Sequence, residues 1–206
     1  MRVMATTRVT SQLSISLDGF VAGADQSRDD PLGRGGERLH HWHMGEGPRH
    51  EIDEAMGERI LEGNGAYVMG RNMFGPIRGE WDEDWRGWWG EEPPYHAPVF
   101  VLTHHPREPL EMAGGTTFHF VTEGIEAALE QARAAAGDRD VNVAGGASTV
   151  NQCLAAGLID ELQLHVAPVL LHAGERLFDG VGDLELQPIE VAGSPAATHV
   201  RYRLRR

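Results

Sequence analysis

The first structured part of the chain alternates. Val9, Ser11, Leu13, Ile15 and Leu17 lie on one side of a run that predicts a strand with one buried face, and Asp18-Gly19 ends it. Across residues 50 to 62 the period changes to that of a helix, with Ile52, Met56 and Ile60 on one face and Gly63 as the stop. A short strand over 66 to 70, a turn of helix and the Trp-rich segment 81 to 89 follow. Residues 98 to 103 form a continuous apolar run, the pattern of a strand buried on both faces, and 116 to 121 give another strand. Ile125, Ala128, Leu129 and Ala132 then mark a helix that stops near Gly137.

Beyond residue 140 the pattern is strand, Gly145-Gly146 turn, helix with Val150, Cys153, Leu154 and Leu158 on one face, then an alternating strand through Leu162, Leu164 and Val166. Two alternating runs, 184 to 191 and 199 to 204, flank Gly193-Ser194-Pro195 and predict a terminal hairpin. Strands alternating with helices and closed by a hairpin give an α/β three-layer sandwich. Its sheet is mostly parallel with an antiparallel C-terminal edge. At 206 residues the chain reads as one domain, 1 to 206, with no internal repeat.

Composition narrows the chemistry. The chain contains no lysine, so all 18 basic residues are arginine. That removes Walker-A, Schiff-base and lysine-base mechanisms, and leaves phosphate recognition to arginine, backbone amides, hydroxyls or histidine. The net charge of -13 speaks against general nucleic-acid affinity. No apolar run reaches the length of a membrane helix and no leader pattern is visible, so the expected location is the cytoplasm, with no membrane partner. Cys153, the one cysteine, sits on an apolar helical face and reads as a buried thiol rather than a nucleophile. Residues 24 to 49, rich in Gly, Asp, Arg and His, read as one long loop, in which His40, His41 and His43 crowd around Trp42 without metal-ligand spacing; a substrate-lining loop or a subunit contact is the expected role, and no metal is. Trp81, Trp85, Trp88 and Trp89 fall on one face of a short predicted helix, either as packing or as a π-surface for a flat substrate.

Glycines between a strand and a helix allow close approach of a ligand, and the exposed amides that open the helix attract anions. The same spacing also suits a plain tight turn. The AGGAST turn, the GLIDEL join and APVLLHAGERLF, with SISLDGFVAG (14–23), YVMGRNMFG (67–75) and VFVLTHHPRE (99–108) in order, resemble the C-terminal reductase domain of bifunctional riboflavin-biosynthesis (deaminase-reductase) proteins. That domain is of the dihydrofolate-reductase-like type, and the resemblance covers roughly residues 8 to 204.

The resemblance implies that Gly145, Gly146, Ala147, Ser148 and Thr149 cradle the pyrophosphate of a nicotinamide cofactor. It places Gly70 and Arg71 at further phosphates, against the alternative of an ordinary strand exit. Thr103, His104 and Arg107 would surround a ribose 2′-phosphate, which favours NADPH over NADH; exposed loop residues are the other reading. It sets Asp18 and Gly19 beside the nicotinamide, with Asp18 the candidate catalytic residue, although Asp-Gly is also a plain turn dipeptide. Two departures stand out. Phe20 occupies the place after Asp-Gly where a basic residue is usual, and Asp29-Asp30-Pro31-Leu32 precedes the strand that the family's similar motif follows. The second is treated as coincidence.

The expected function is NADPH-dependent reduction of a small polar heterocycle or imine-like compound, similar to 5-amino-6-(5-phosphoribosylamino)uracil reductase. A non-catalytic NADP-binding or sensor protein and a genuine dihydrofolate reductase are the alternatives. A homodimer is expected, pairing near the terminal strand.

Overall fold

The computed structural model describes residues 7 to 75, 78 to 81 and 84 to 205. Six strands form the parallel part of one nine-stranded sheet: β1 (Val9–Ser16), β3 (Asn64–Gly70), β4 (Pro98–Leu102), β6 (Thr117–Val121), β7 (Asp140–Gly145) and β8 (Glu161–Ala167). β2 (Phe20–Gly23) leaves the main sheet to pair with β9 (Gly174–Arg176). β5 (Leu110–Glu111) is one antiparallel edge, and the hairpin of β10 (Glu185–Gly193) and β11 (Thr198–Arg205) is the other. The order is β10-β11-β8-β1-β7-β3-β4-β6-β5, with β8 through β6 mutually parallel. This is the α/β sandwich with a C-terminal antiparallel hairpin that the periodicity predicts. The short pairs β2-β9 and β5-β6 carry too few residues to leave a period in the sequence.

Alternation along the strands divides the core between two faces. On one, Val9, Ala66, Val68, Val141, Val143, Leu162 and Leu164 pack against α4 (Ile125–Ala136) and α5 (Ala147–Ala155), through Ala128, Leu129, Ala132, Val150, Cys153 and Leu154. On the other, Tyr67, Met69, Val99, Val101 and Phe118 meet Phe74 of α3 (Arg71–Phe74) and three tryptophans. Farther along that second face, Trp42 of α1 (His41–Met44), Met56 of α2 (Glu51–Glu58) and Ala197 make a separate small cluster. Between these clusters the inner strands β1 and β7 turn polar residues to the second face: Gln12, Ser14 and Asn142. A polar strip in the middle of a sheet needs partners or space. Here it has both.

Two local expectations fail. The tryptophan segment is not helical among its described residues; Trp81 and Trp85 instead donate their indole N–H groups to the carbonyls of His105 (2.8 Å) and Phe74 (3.0 Å). Competition from those carbonyls, and from Phe74, Phe118 and Tyr95 as packing partners, overrides the apolar spacing. The stretch 24 to 49, expected as one long loop, contains a 3₁₀ turn (Gly36–His40) and α1, anchored by Leu39 and Trp42 in the core.

Candidate functional site

A cavity of about 1240 Å³ opens over the polar strip and beyond the carboxyl ends of the parallel strands. Ligand pockets for small molecules are typically about 300–1,000 Å³, so this one has room for more than one. Gly70, Arg71, Thr103, His104, Gly145, Gly146, Ala147, Ser148 and Thr149 all line it. Three of the four expected loops therefore converge, following β3, β4 and β7, as the location of ligands in open α/β sheets requires.

The turn after β7 is the centre of this arrangement. Gly145 has φ +132°, which side chains rarely adopt, and a Cβ there would lie 3.3 Å from Met73 Sδ. Gly146 differs: its φ is -75°, and a Cβ would meet nothing within 4 Å. Neither φ nor packing demands a glycine at 146; the space a side chain would enter is the cavity. α5 begins immediately afterwards, so its first residues, Ala147, Ser148 and Thr149, whose amides lack partners within the helix, line the same space. β3 is held close by, since a Cβ at Gly70 would come 2.5 Å from Thr149 Oγ1.

Positive charge gathers on the β3–β4 side. The Arg71 guanidinium lies 3.8 Å over the Trp81 ring and donates to the Glu80 carbonyl at 3.3 Å, while its Nε is buried and has no hydrogen-bond partner among the described residues. Burial, and next the charge of Arg78, push the Arg71 pKa below its ordinary value. A nearby anion would relieve both effects. His104 is exposed at the rim beside His105. Arg107 does not line the cavity; it stands behind Trp81 and Phe120, with ring distances of 5.3 and 5.2 Å. The Thr103 hydroxyl is committed to its own turn, accepting from His105 N at 3.1 Å, so it is a turn-former at the wall.

Asp18 and Gly19 do not line the cavity. The Asp18 carboxylate accepts from the Ser16 hydroxyl (2.6 Å) and from the amides of His172 (2.7 Å) and Leu171 (3.1 Å). Partial desolvation pulls its pKa up, but those hydrogen bonds outweigh it and hold the carboxyl at about 2. This aspartate pins the loop after β8 to the end of β1. Gly19, with φ +89°, completes the turn. Phe20 is buried under the Arg176 guanidinium, 4.4 Å from its ring, so β9 brings an arginine to the place where the chain lacks one.

Sequence reasoning missed Gln12, Ser14 and His165 on the opposite wall. Gln12, Ser14, His40, Trp42, His43 and His165 line it. Trp42 stacks on His165 (4.2 Å between centroids) and donates to Ser14 Oγ at 2.9 Å. Of the crowded histidines, His40 and His43 line the cavity and His41 does not. Pro31 and Leu32, from the Asp-Asp-Pro-Leu stretch, reach the same wall. The available signal was a run of polar residues, Thr10, Gln12, Ser14 and Ser16, on the second face of a strand whose neighbours on both sides are strands.

Fold and cavity together define a dihydrofolate-reductase-type sandwich with a Gly-Gly turn opening on a cavity at the ends of its parallel strands. The chain belongs to the RibD C-terminal domain family, whose model matches residues 7–199. Among solved structures, it is similar to a protein of Shewanella sp. PV-4 assigned to riboflavin biosynthesis, at 24% identity and TM-score 0.63 over 97% of this chain and 100% of the other. A pyrimidine reductase-like protein of Corynebacterium diphtheriae aligns at 14% identity and TM-score 0.59, covering 98% and 93%. A diaminohydroxyphosphoribosylaminopyrimidine deaminase/5-amino-6-(5-phosphoribosylamino)uracil reductase of Thermotoga maritima aligns at 15% identity and TM-score 0.57, covering 96% of this chain and 56% of that longer one. Comparison with curated proteins gave no significant match. Among the described residues no helix is long and apolar enough to cross a membrane.

Proposed function

We propose that this protein is an NADPH-dependent reductase of a small polar heterocyclic or imine-like compound. 5-Amino-6-(5-phosphoribosylamino)uracil, the substrate in the name of the Thermotoga protein, is the first candidate. The observation that carries this reading is Gly146: a glycine required neither by φ nor by packing, facing open space at the start of a helix, in the cavity that Arg71 also lines. Such a cradle fits a pyrophosphate. Gly145, Gly146, Ala147 and Ser148 would hold it, with Arg71 and His104 beside the ribose phosphate. When bound, the cofactor supplies a hydride.

The protein supplies orientation and a walled-off space. Sheet order sets the division of labour. The residues proposed to hold phosphate follow β3 and β4, the aromatic and polar wall stands at β8 and β1, and the Gly-Gly turn after β7 lies between. From β1 to β4 is three strand spacings, roughly 14 Å, enough to separate a phosphate end from a reacting ring.

The test is calorimetric titration with NADPH and NADH, followed by NADPH oxidation with the pyrimidine substrate. Each lost charge-assisted hydrogen bond costs about 1.5–3 kcal/mol, so NADPH is expected to bind tenfold or more tightly. Equal affinities would overturn the phosphate assignment. Tight NADPH binding without oxidation by any candidate compound would favour the non-catalytic sensor instead.

A further inference from the structure

A buried chain of hydrogen bonds leads away from the cavity. The side chains of Gln12 (Nε2) and His165 (Nε2) are 2.9 Å apart; His165 Nδ1 and His199 Nδ1 are 2.6 Å apart; His199 Nε2 lies 2.8 Å from Asp53 Oδ1. β8 and β11 put the two histidines directly opposite each other, and α2 brings Asp53 over them. Asp53, His165 and His199 are each at most 2% exposed. Neither a carboxylate nor two imidazoles need such a place for packing, since apolar side chains would fill it at lower cost. At the cavity end, Gln12 has no other side-chain hydrogen bond among the described residues.

The direction of each bond follows from its ends. The Asp53 carboxylate only accepts, so His199 Nε2 carries a hydrogen. With both rings neutral, His165 Nδ1–H donates to His199 Nδ1 and His165 Nε2 accepts from the Gln12 amide, the orientation seen here. One added proton reverses the middle of the chain. His199 becomes an imidazolium beside Asp53 and donates from Nδ1 to His165 Nδ1. His165 then carries its hydrogen on Nε2 and presents it to the cavity, where Gln12 turns its Oε1 to accept. The chain therefore has two states, separated by one proton.

We propose that Asp53, His199 and His165 form a one-proton store that opens on the cavity at Gln12 and supplies the proton that accompanies reduction of the substrate. This rests on the reductase reading above. The substrate carbon accepts the hydride of NADPH, the C=N π pair moves to nitrogen, and that nitrogen, replacing Gln12 Oε1 as the acceptor at His165 Nε2, takes the proton from it. His165 Nδ1 recovers a proton from His199 Nδ1, leaving both rings neutral, and water refills the store. NADP⁺ and the reduced C–N bond account for every electron and proton.

The two rings have different surroundings. Burial, then His199, His43 and His40, push His165 down to about 3. His43 is itself held at about 4 by burial and next by His40 and Arg49, and His40 is lowered by burial and by His41. Asp53 is the acidic group in contact with the pair, and it touches His199. His165 is the group placed to hand the proton over; His199 and Asp53 are positioning residues.

The test uses the full chain labelled with ¹⁵N-histidine, free of cofactor, and follows ring nitrogens across neutral pH. His165 and His199 are expected to respond together as one proton binds. Asp53→Asn keeps an acceptor but removes the charge, and should move that uptake to lower pH by about 1–3 units. His199→Gln, the second variant, should abolish it. Separate titration of the two rings, or an unmoved midpoint in folded Asp53→Asn, would overturn the store. In the loaded enzyme with 5-amino-6-(5-phosphoribosylamino)uracil, kcat should fall about 10²–10⁴-fold in His199→Gln. Asp53→Asn should shift the alkaline limb of kcat to lower pH, with NADPH affinity unchanged in both. An unmoved kcat profile would remove the donor role. Failure of wild-type protein to bind NADPH would instead sink the reductase reading and the donor role with it, while the titration still decides the store.

Discussion

Replacing Gly146 with valine separates a cradle from a turn. The backbone at Gly146 has φ -75°, open to any L-residue, and an added Cβ meets no protein atom within 4 Å. The position caps α5, where losing glycine for an apolar residue costs less than about 1 kcal/mol. For a chain of this size that shifts Tm by no more than about 2–4 °C. Binding should respond far more strongly. A branched side chain entering the cavity displaces a pyrophosphate from the amides that open the helix, and two lost charge-assisted hydrogen bonds are worth about 3–6 kcal/mol. That is roughly 10²–10⁴ in affinity. Gly145→Ala is the control: φ +132° and the approach to Met73 Sδ should destabilise the fold itself, by about 1–3 kcal/mol. Thermal unfolding and NADPH calorimetry on both variants give the answer. Wild-type NADPH affinity in a folded Gly146→Val protein would refute the cradle, and a large loss of Tm in that variant would refute the reading of the empty space.

Asp18→Ala should loosen the loop after β8, seen as faster hydrogen exchange at the amides of Leu171 and His172, with NADPH affinity retained; unchanged exchange at both would contradict the anchoring role. Because its folded pKa is depressed, the stability Asp18 contributes is present above the ordinary carboxylate range and is lost as pH falls toward about 2. Asp18→Ala should therefore flatten the acid limb of a stability–pH curve, and an identical limb would count against it. Cys153 is buried and its pKa is pushed up to about 12, by burial first and then by Glu126, so a thiol reagent should label it only after unfolding. Rapid labelling of native protein would disprove that. Light scattering should give twice the 22.6 kDa of one chain, with pairing near β11, whose Val200, Tyr202 and Leu204 alternate with arginines; the mass of a single chain would contradict the dimer.

What was legible in the sequence follows from which residues had a single physical demand. Strands such as β4 and helices such as α4 bury whole faces, so periodicity alone placed them to within a residue or two. The Gly-Gly turn and Gly70 were also visible, because a strand that stops at glycine before a helix has few other uses. Asp18 shows the opposite case. An Asp-Gly pair serves equally as a turn or as a site, and only the amides of Leu171 and His172, more than 150 positions away in the chain, decide that the carboxylate is an anchor. The tryptophan segment misled for a related reason: helical spacing of indoles carries no information about carbonyls elsewhere that will take their N–H groups.

The least legible part of the molecule is the wall opposite the phosphate cradle. β1 alternates cleanly, and a strand with one apolar and one polar face is ordinarily half exposed to water. Its neighbours β8 and β7 lie on both sides, however, and α1 and α2 come over the same face, so the polar residues look into a cavity instead of solvent. The two histidines that complete the wall are 34 positions apart and meet only because β11 pairs antiparallel with β8 in the register that sets His199 against His165. A polar face on a strand that topology forces to the middle of a sheet is therefore the signal to seek. Here it leads from Gln12 through two imidazoles to a buried carboxylate, a chemistry that no contiguous motif in the chain encodes.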